Sequence, residues 1–226
     1  MRSSLRVALT ATLLLALSAA ACTRTKAPVA PGDPGALVAS DPASAPPQVS
    51  TGTCDERQTA ISKEADQRAA PYGIVPHLEK NFSGGRISWL MKEAPYQNYV
   101  VKPGAKNFGR CDDTGCYLFA SPSNVIEEAV NKSLLPTGAH DPAVLGQALG
   151  LPAANFEGPL RMMTLELSAA PDACARLPVD ADPGVWKCQT PEDKDCFKFG
   201  GYTSGGVPEV MIINAPVEKA QVRELP

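Results

Sequence analysis

Outside its first twenty-odd residues the chain distributes apolar positions in short separated runs, and their spacing predicts the elements. Residues 55–69 open on acidic side chains and place Ile61, Ala65 and Ala69 four apart, which predicts a helix with a thin apolar face packed at the periphery. Residues 86–91, 98–102 and 117–120 are rich in aromatic and branched side chains and are bounded by Gly84-Gly85, Pro103-Gly104 and Gly115, so they are expected to be strands. Ser121-Pro122 reads as a cap and a first-turn proline leading into a helix striped by Val125, Ile126, Ala129, Val130 and Leu134. A second helix is expected from Asp141-Pro142, carrying Val144, Leu145, Ala148 and Leu149 and stopped by Gly150 and Pro152. Residues 160–168 alternate, with Met163, Leu165 and Leu167 opposite Met162, Thr164 and Glu166, as a half-buried strand does. Residues 210–213 form the most apolar short run of this region and predict a central strand, with 217–225 expected beside it at the edge. Residues 172–206 lack apolar periodicity and read as a disulfide-pinned loop. Strands, then helices, then strands imply an α+β fold: a mostly antiparallel sheet with two or three helices, stabilised by disulfides.

The exception is the N-terminus. Arg2 and Arg6 precede an apolar core of roughly a dozen residues, and small residues lead to Cys22, the pattern of a secretory signal peptide over residues 1–21. The run is shorter than the ~20 residues a bilayer span needs. Leu17-Ser18-Ala19-Ala20-Ala21-Cys22 resembles the lipobox of bacterial lipoproteins. That resemblance implies that Cys22 becomes the acylated, palmitate-bearing first residue, that the lipid bilayer is a partner through this anchor, and that the protein faces the periplasm. Thr23 stands where that family carries Asp for inner-membrane retention, which implies the outer membrane. Residues 23–53 hold six Pro, six Ala, three Gly and no aromatic, too little apolar surface to offset the entropy of ordering, and read as a tether. Those 31 residues reach roughly 30 Å as a coil and about 95 Å if extended. Residues 54–226 remain for a single domain.

Charge narrows the function. With 21 Lys+Arg against 24 Asp+Glu the net charge is −3, and no basic excess exists to neutralise a phosphate backbone, so no nucleic-acid partner is expected. Two His leave little for a multi-His metal site. Setting Cys22 aside leaves Cys54, Cys111, Cys116, Cys174, Cys188 and Cys196, an even set that predicts three disulfides in an exported chain. Fifteen pairings are open to six cysteines. Cys111 and Cys116 enclose turn residues and are expected to close a hairpin across themselves. Zinc ligation wants closer pairs than those after Cys174, so no metal is expected.

Candidate chemistry concentrates in residues 198–210. Gly200-Gly201 and Gly205-Gly206 flank Tyr202, Thr203 and Ser204 and are expected to let backbone approach a ligand, while Glu209 enters the apolar strand as an acid/base or charge-stabilising group. The order 117–121, a helix, 148–152, the strand near Arg161 and then Gly205-Gly206-Val207-Pro208-Glu209 resembles C-terminal domains of bacterial polymorphic toxins. Some ADP-ribosyltransferase-like and NAD-glycohydrolase members bind NAD in a cleft. The resemblance implies NAD as substrate, a phosphate contact from Arg86, a ribosyl cation stabilised by Glu209, and ligand contacts from Tyr202, Thr203 and Ser204. The Ser-Thr-Ser and Glu-x-Glu signatures of the defined ADP-ribosyltransferases are absent, as is a Gly-x-Ser-x-Gly elbow. His77 and His140 have no partner in sequence and read as loop residues. The expectation is therefore a lipid-anchored envelope protein whose domain acts as a binding or inhibitory module without a resident cofactor, with an envelope protein as a partner. The competing reading is a toxin-like, NAD-consuming enzyme.

Overall fold

Five helices and seven strands follow one another among the residues that the computed structural model describes, which are 50–185, 187, 189–190 and 196–225. The segment expected to be a signal peptide, Cys22, the expected tether up to residue 49, and Cys188 lie outside the described residues. In chain order the elements are α1 (Glu56–Arg68), α2 (Ile74–Asn81), β1 (Arg86–Lys92), α3 (Glu93–Tyr96), β2 (Arg110–Asp112), β3 (Gly115–Pro122), α4 (Ser123–Ser133), α5 (Pro142–Leu149), β4 (Leu160–Glu166), β5 (Cys174–Arg176), β6 (Val210–Ile213) and β7 (Gln221–Leu225).

The strands make one antiparallel sheet in the order β5-β6-β3-β1-β4-β7, and β2 pairs with the first residues of β3. This is the expected α+β class. Both faces are covered. Ala65 of α1 and Ile74, Leu78 and Phe82 around α2 bury one face together with Ile87, Trp89, Met163, Leu165, Val210 and Ile212. On the other face Ile126, Ala129 and Val130 of α4 and Leu145 and Leu149 of α5 pack on Leu160, Met162 and Leu225. This second layer explains why β4 is buried on both sides, with Met162 at 3% and Met163 at 0% exposure, where alternation alone suggested a half-buried strand.

Local sequence accounts for the helix ends. Asp55 Oδ1 accepts from Gln58 N at 2.6 Å, and Asp141 Oδ1 accepts from Ala143 N at 2.8 Å ahead of the first-turn Pro142. Gly150 ends α5 with φ +63°, a left-handed conformation that favours glycine.

Several expectations need correction. Residues 98–102 are not a strand: Gln97–Val101 is a π-helical turn continuing α3, with Lys102 N donating to Gln97 O at 3.0 Å. The bonds from Gln97 to Glu93 and from Lys102 to Asn98 tie helical neighbours four apart, and Tyr99 projects to solvent at 71% exposure. Ser121 and Pro122 are not the cap and first turn of α4. They finish β3 opposite Ser88 and Ile87, and the helix begins at Ser123. The last strand does lie at an edge, but it pairs with β4 rather than with β6. Asn214, at φ +59°, and the turn Val217–Lys219 carry the chain to the opposite side of the sheet. Residues 172–206 are not only a loop, since Cys174–Arg176 within them is the buried strand β5 paired with β6. A further correction is α2, which residue patterning missed. Pro76 obscures it, yet at the third helical position a missing N–H removes no helical hydrogen bond.

Cys54 is bonded to Cys174, and Cys111 to Cys116 directly across the β2–β3 hairpin, as expected for the latter. Cys196 is disulfide-bonded as well. Residues 51–53, expected to belong to a tether, instead run against β5: Thr53 N donates to Pro171 O and Ala175 N donates to Thr51 O, each at 2.8 Å.

Candidate functional site

The glycine-rich segment folds into a small hairpin ahead of β6. Glu209 N donates to Gly201 O at 2.8 Å, Thr203 N donates to Val207 O at 2.8 Å, and Tyr202 bridges to Pro208. One glycine of each pair, Gly201 and Gly205, packs closely against the protein's own chain, while Gly200 and Gly206 have open space around them. A Cβ on Gly201, at φ +74°, would stand 2.7 Å from Leu177 Cδ2 and 2.9 Å from His77 Nε2. One on Gly205 would stand 2.5 Å from the Gly150 Cα. Gly201 thus seats the hairpin on α2 and Gly205 seats it on the end of α5, where Ser204 Oγ donates to Gly150 O at 2.9 Å.

Between the hairpin, the turn after α5 and Phe119 of β3 lies a cavity of about 270 Å³, walled by Leu151, Pro152 and Phe197 and reached by Tyr202 and Glu209. The Glu209 carboxyl makes no hydrogen bond with any described residue. Burial without a partner disfavours its charged form and pushes its pKa up to about 7. Near neutral pH it is therefore divided between a hydrogen-bond donor and an anion.

The backbone of Glu209 is held from below. His77 Nε2 donates to Glu209 O at 3.1 Å, while His77 Nδ1 lies 3.1 Å from Asn81 Nδ2, which also reaches Tyr202 Oη at 3.1 Å. An amide nitrogen facing Nδ1 assigns the neutral tautomer with its proton on Nε2. Burial lowers the His77 pKa, opposed by the bond to the Glu209 carbonyl and aided by Lys80 nearby. Tyr202 stacks edge-on against His77 with ring centroids 5.1 Å apart. His77 and Asn81 are thus positioning residues for both the cavity rim and Glu209. Sequence reasoning missed them because α2 itself was missed; the signal was their spacing of four, which sets both on one helix face.

The structure brings Glu209, Tyr202, Thr203 and Ser204 to one cavity and leaves Arg86 out of it. Arg86 Nε donates to Glu166 Oε1 at 2.8 Å, and its side chain lines a separate groove beside α4. The Thr203 and Ser204 hydroxyls are engaged within the fold, Thr203 Oγ1 accepting from Val207 N at 3.2 Å. His140 is no loose loop residue either: its Nδ1 lies 2.8 Å from the buried Ser133 Oγ, which donates to Val130 O. That bond closes the connection between α4 and α5, and the buried Ser133 is not presented to any cavity described above. The aromatic side chains disperse, with Trp89 against Phe108 in the core, Tyr96 under Arg161, and Tyr117 bonded to Gln58.

Among the described residues no group of three or more His, Cys, Asp or Glu is placed to hold a metal ion, and no helix is long and apolar enough to cross a membrane. Compared with family models, with curated proteins and with solved structures, the chain matches none.

Proposed function

We propose that the protein is a ligand-binding module of the bacterial cell envelope, exported, lipid-anchored through Cys22, and holding a small uncharged ligand in the Glu209 cavity. The observation that carries this reading is the carboxyl of Glu209, which has no hydrogen-bond partner among the described residues, opens on mainly apolar walls and has a pKa pushed up to about 7. A protonated carboxyl in such a place donates to a carbonyl or ether oxygen, while Phe119, Leu151 and Phe197 take the apolar body of the ligand. The signal-like N-terminus and the lipobox resemblance support the envelope half of the reading. So do the disulfides, which persist in oxidising compartments.

An NAD-consuming enzyme finds less support. That chemistry asks Arg86 and an ionised Glu209 to face one substrate, and the two residues line different depressions.

The test uses the full chain and acetanilide, a neutral aromatic amide with one carbonyl acceptor, titrated by ligand-observed NMR. Affinity is expected to fall as pH rises through about 7, by roughly tenfold per unit above it, and to be pH-independent in Glu209→Gln. Absence of binding at millimolar acetanilide, or a pH-independent affinity in the wild type, refutes the cavity reading. Incubation with NAD is expected to give no turnover; turnover abolished by Glu209→Gln would establish the enzyme instead.

A further inference from the structure

A second depression, of about 460 Å³, lies between α4 and the β4–β7 edge and shares no lining residue with the Glu209 cavity. Strand register builds its floor. Ser88, Thr164 and Gln221 stand in one row across β1, β4 and β7, and Leu90, Met162 and Arg223 stand in the next. Arg86 stands at one end, opposite Glu166. A chain of hydroxyls, Ser123 Oγ to Ser88 Oγ to Thr164 Oγ1 at 2.8 Å each, fixes the Thr164 side chain at the groove wall. Glu127 and Asn131, one turn apart on α4, form the facing side.

The polar groups of this groove are unspent to an unusual degree. Arg223 donates to the Met162 sulfur at 3.2 Å, a weak acceptor, and is in no ion pair among the described residues. Arg86 bonds Glu166 through Nε, leaving its terminal nitrogens without a hydrogen bond among the described residues. Glu127 has no ion-pair partner there, although its neighbour Glu128 is paired with Lys132. The side-chain amides of Asn131 and Gln221 make no hydrogen bond to the described protein either. With Arg86 and Glu166 cancelling each other, one cation and one anion of the lining, Arg223 and Glu127, remain without an ion pair among the described residues.

From this arrangement we infer that the groove binds a zwitterion of the amino-acid or dipeptide class, its carboxylate on Arg223 and the spare nitrogens of Arg86 and its ammonium on Glu127. Guanidinium suits the first contact because its fork matches a carboxylate with two parallel bonds. A simple anion leaves Glu127 opposed to it, and a simple cation leaves Arg223 opposed to it. The charged ends of an extended dipeptide lie up to ~7 Å apart, so one molecule can present its carboxylate to the β7 side and its ammonium to the α4 side.

Isothermal titration of the full chain with alanyl-alanine tests the inference, with the N-acetylated dipeptide, the C-terminal amide and inorganic phosphate as comparison ligands. Alanyl-alanine is expected to bind, and capping either end is expected to weaken it at least about tenfold. In Arg223→Gln the preference for the dipeptide over its amide should shrink severalfold, the remainder being due to Arg86. In Glu127→Gln the dipeptide and its acetylated form should bind equally. Both substituted side chains reach solvent, and thermal melting checks that the variants remain folded. No binding of alanyl-alanine at millimolar concentration overturns the inference. So does equal binding of the capped forms by the wild type. Phosphate binding as tight as the dipeptide and lost in Arg223→Gln reduces the groove to a plain anion site and overturns the zwitterion assignment.

Discussion

Replacing Glu209 by Gln removes a carboxyl that the fold holds near neutrality, and its consequence for stability has a definite sign. In the unfolded chain a glutamate titrates near 4.5, and in the folded chain Glu209 titrates at about 7. Between those values the folded state binds the extra proton, so Glu209 imposes no penalty below about 4.5 and its penalty is complete once pH has risen through about 7. A rise of this size corresponds to roughly 3 kcal/mol, and solvent at the cavity mouth reduces it to about 2 kcal/mol. Urea unfolding of the wild type and of Glu209→Gln, disulfides intact, at a series of pH values from about 4.5 to about 8.5 isolates this contribution as the difference between the two proteins. That difference should be smallest at the acid end and move in favour of the variant by about 2 kcal/mol at the alkaline end. His77 acts in the opposite direction: its lowered pKa means that stability is lost as pH falls below the ordinary histidine value of 6.5, and this loss is common to both proteins. A pH-independent difference, or one that favours the wild type as pH rises, refutes the argument that burial governs the Glu209 carboxyl.

Three other outcomes follow from named contacts. Gly201→Ala places a methyl against Leu177 and His77 at positive φ and should cost about 2–3 kcal/mol in urea unfolding, whereas Gly84→Ala, with open space around it, should change stability by less than about 1 kcal/mol. Removing the Cys54–Cys174 bridge, which spans 120 residues, should cost about 5 kcal/mol against about 2 kcal/mol for Cys111–Cys116, which spans 5; equal losses in calorimetry would contradict the loop-entropy account. Cys22→Ala should shift the protein from the membrane to the soluble fraction of cells, and a wild type already soluble after removal of its leader rules out the lipid anchor.

What the sequence made legible was whatever rested on local chemistry. Asp55, Asp141 and Gly150 act through their own dihedrals and side-chain bonds, so α1 and α5 could be read directly. The Cys111–Cys116 hairpin was equally local. Pairing across the sheet was not: nothing in residues 217–225 indicates whether β4 or β6 is the partner, because both are apolar and the outcome depends on the turn at Asn214. The candidate site divides in the same way. Glu209 announced itself at the start of an apolar strand, whereas the shift in its pKa arises from burial, and the cavity it reaches is lined by Phe119, Leu151 and Phe197, far apart in the chain. His77 was hidden by Pro76 beside it. Arg86 was chosen for a partner that the register assigns instead to Glu166.

The way residues 51–54 join the fold bears on how it withstands tension. Traction on the chain from its N-terminal side meets the backbone bonds of Thr51 and Thr53 first and then the covalent Cys54–Cys174 link, all within a few residues of β5. The load therefore enters at the outermost strand, where Arg176 is fully buried and clamped by Asp182 and Gln58. With the sulfurs joined, α1 and everything between it and β5 sit in a closed loop that a steady pull cannot lengthen. With the sulfurs reduced, the same pull would peel α1 away first, so the bridge fixes the order in which the protein yields.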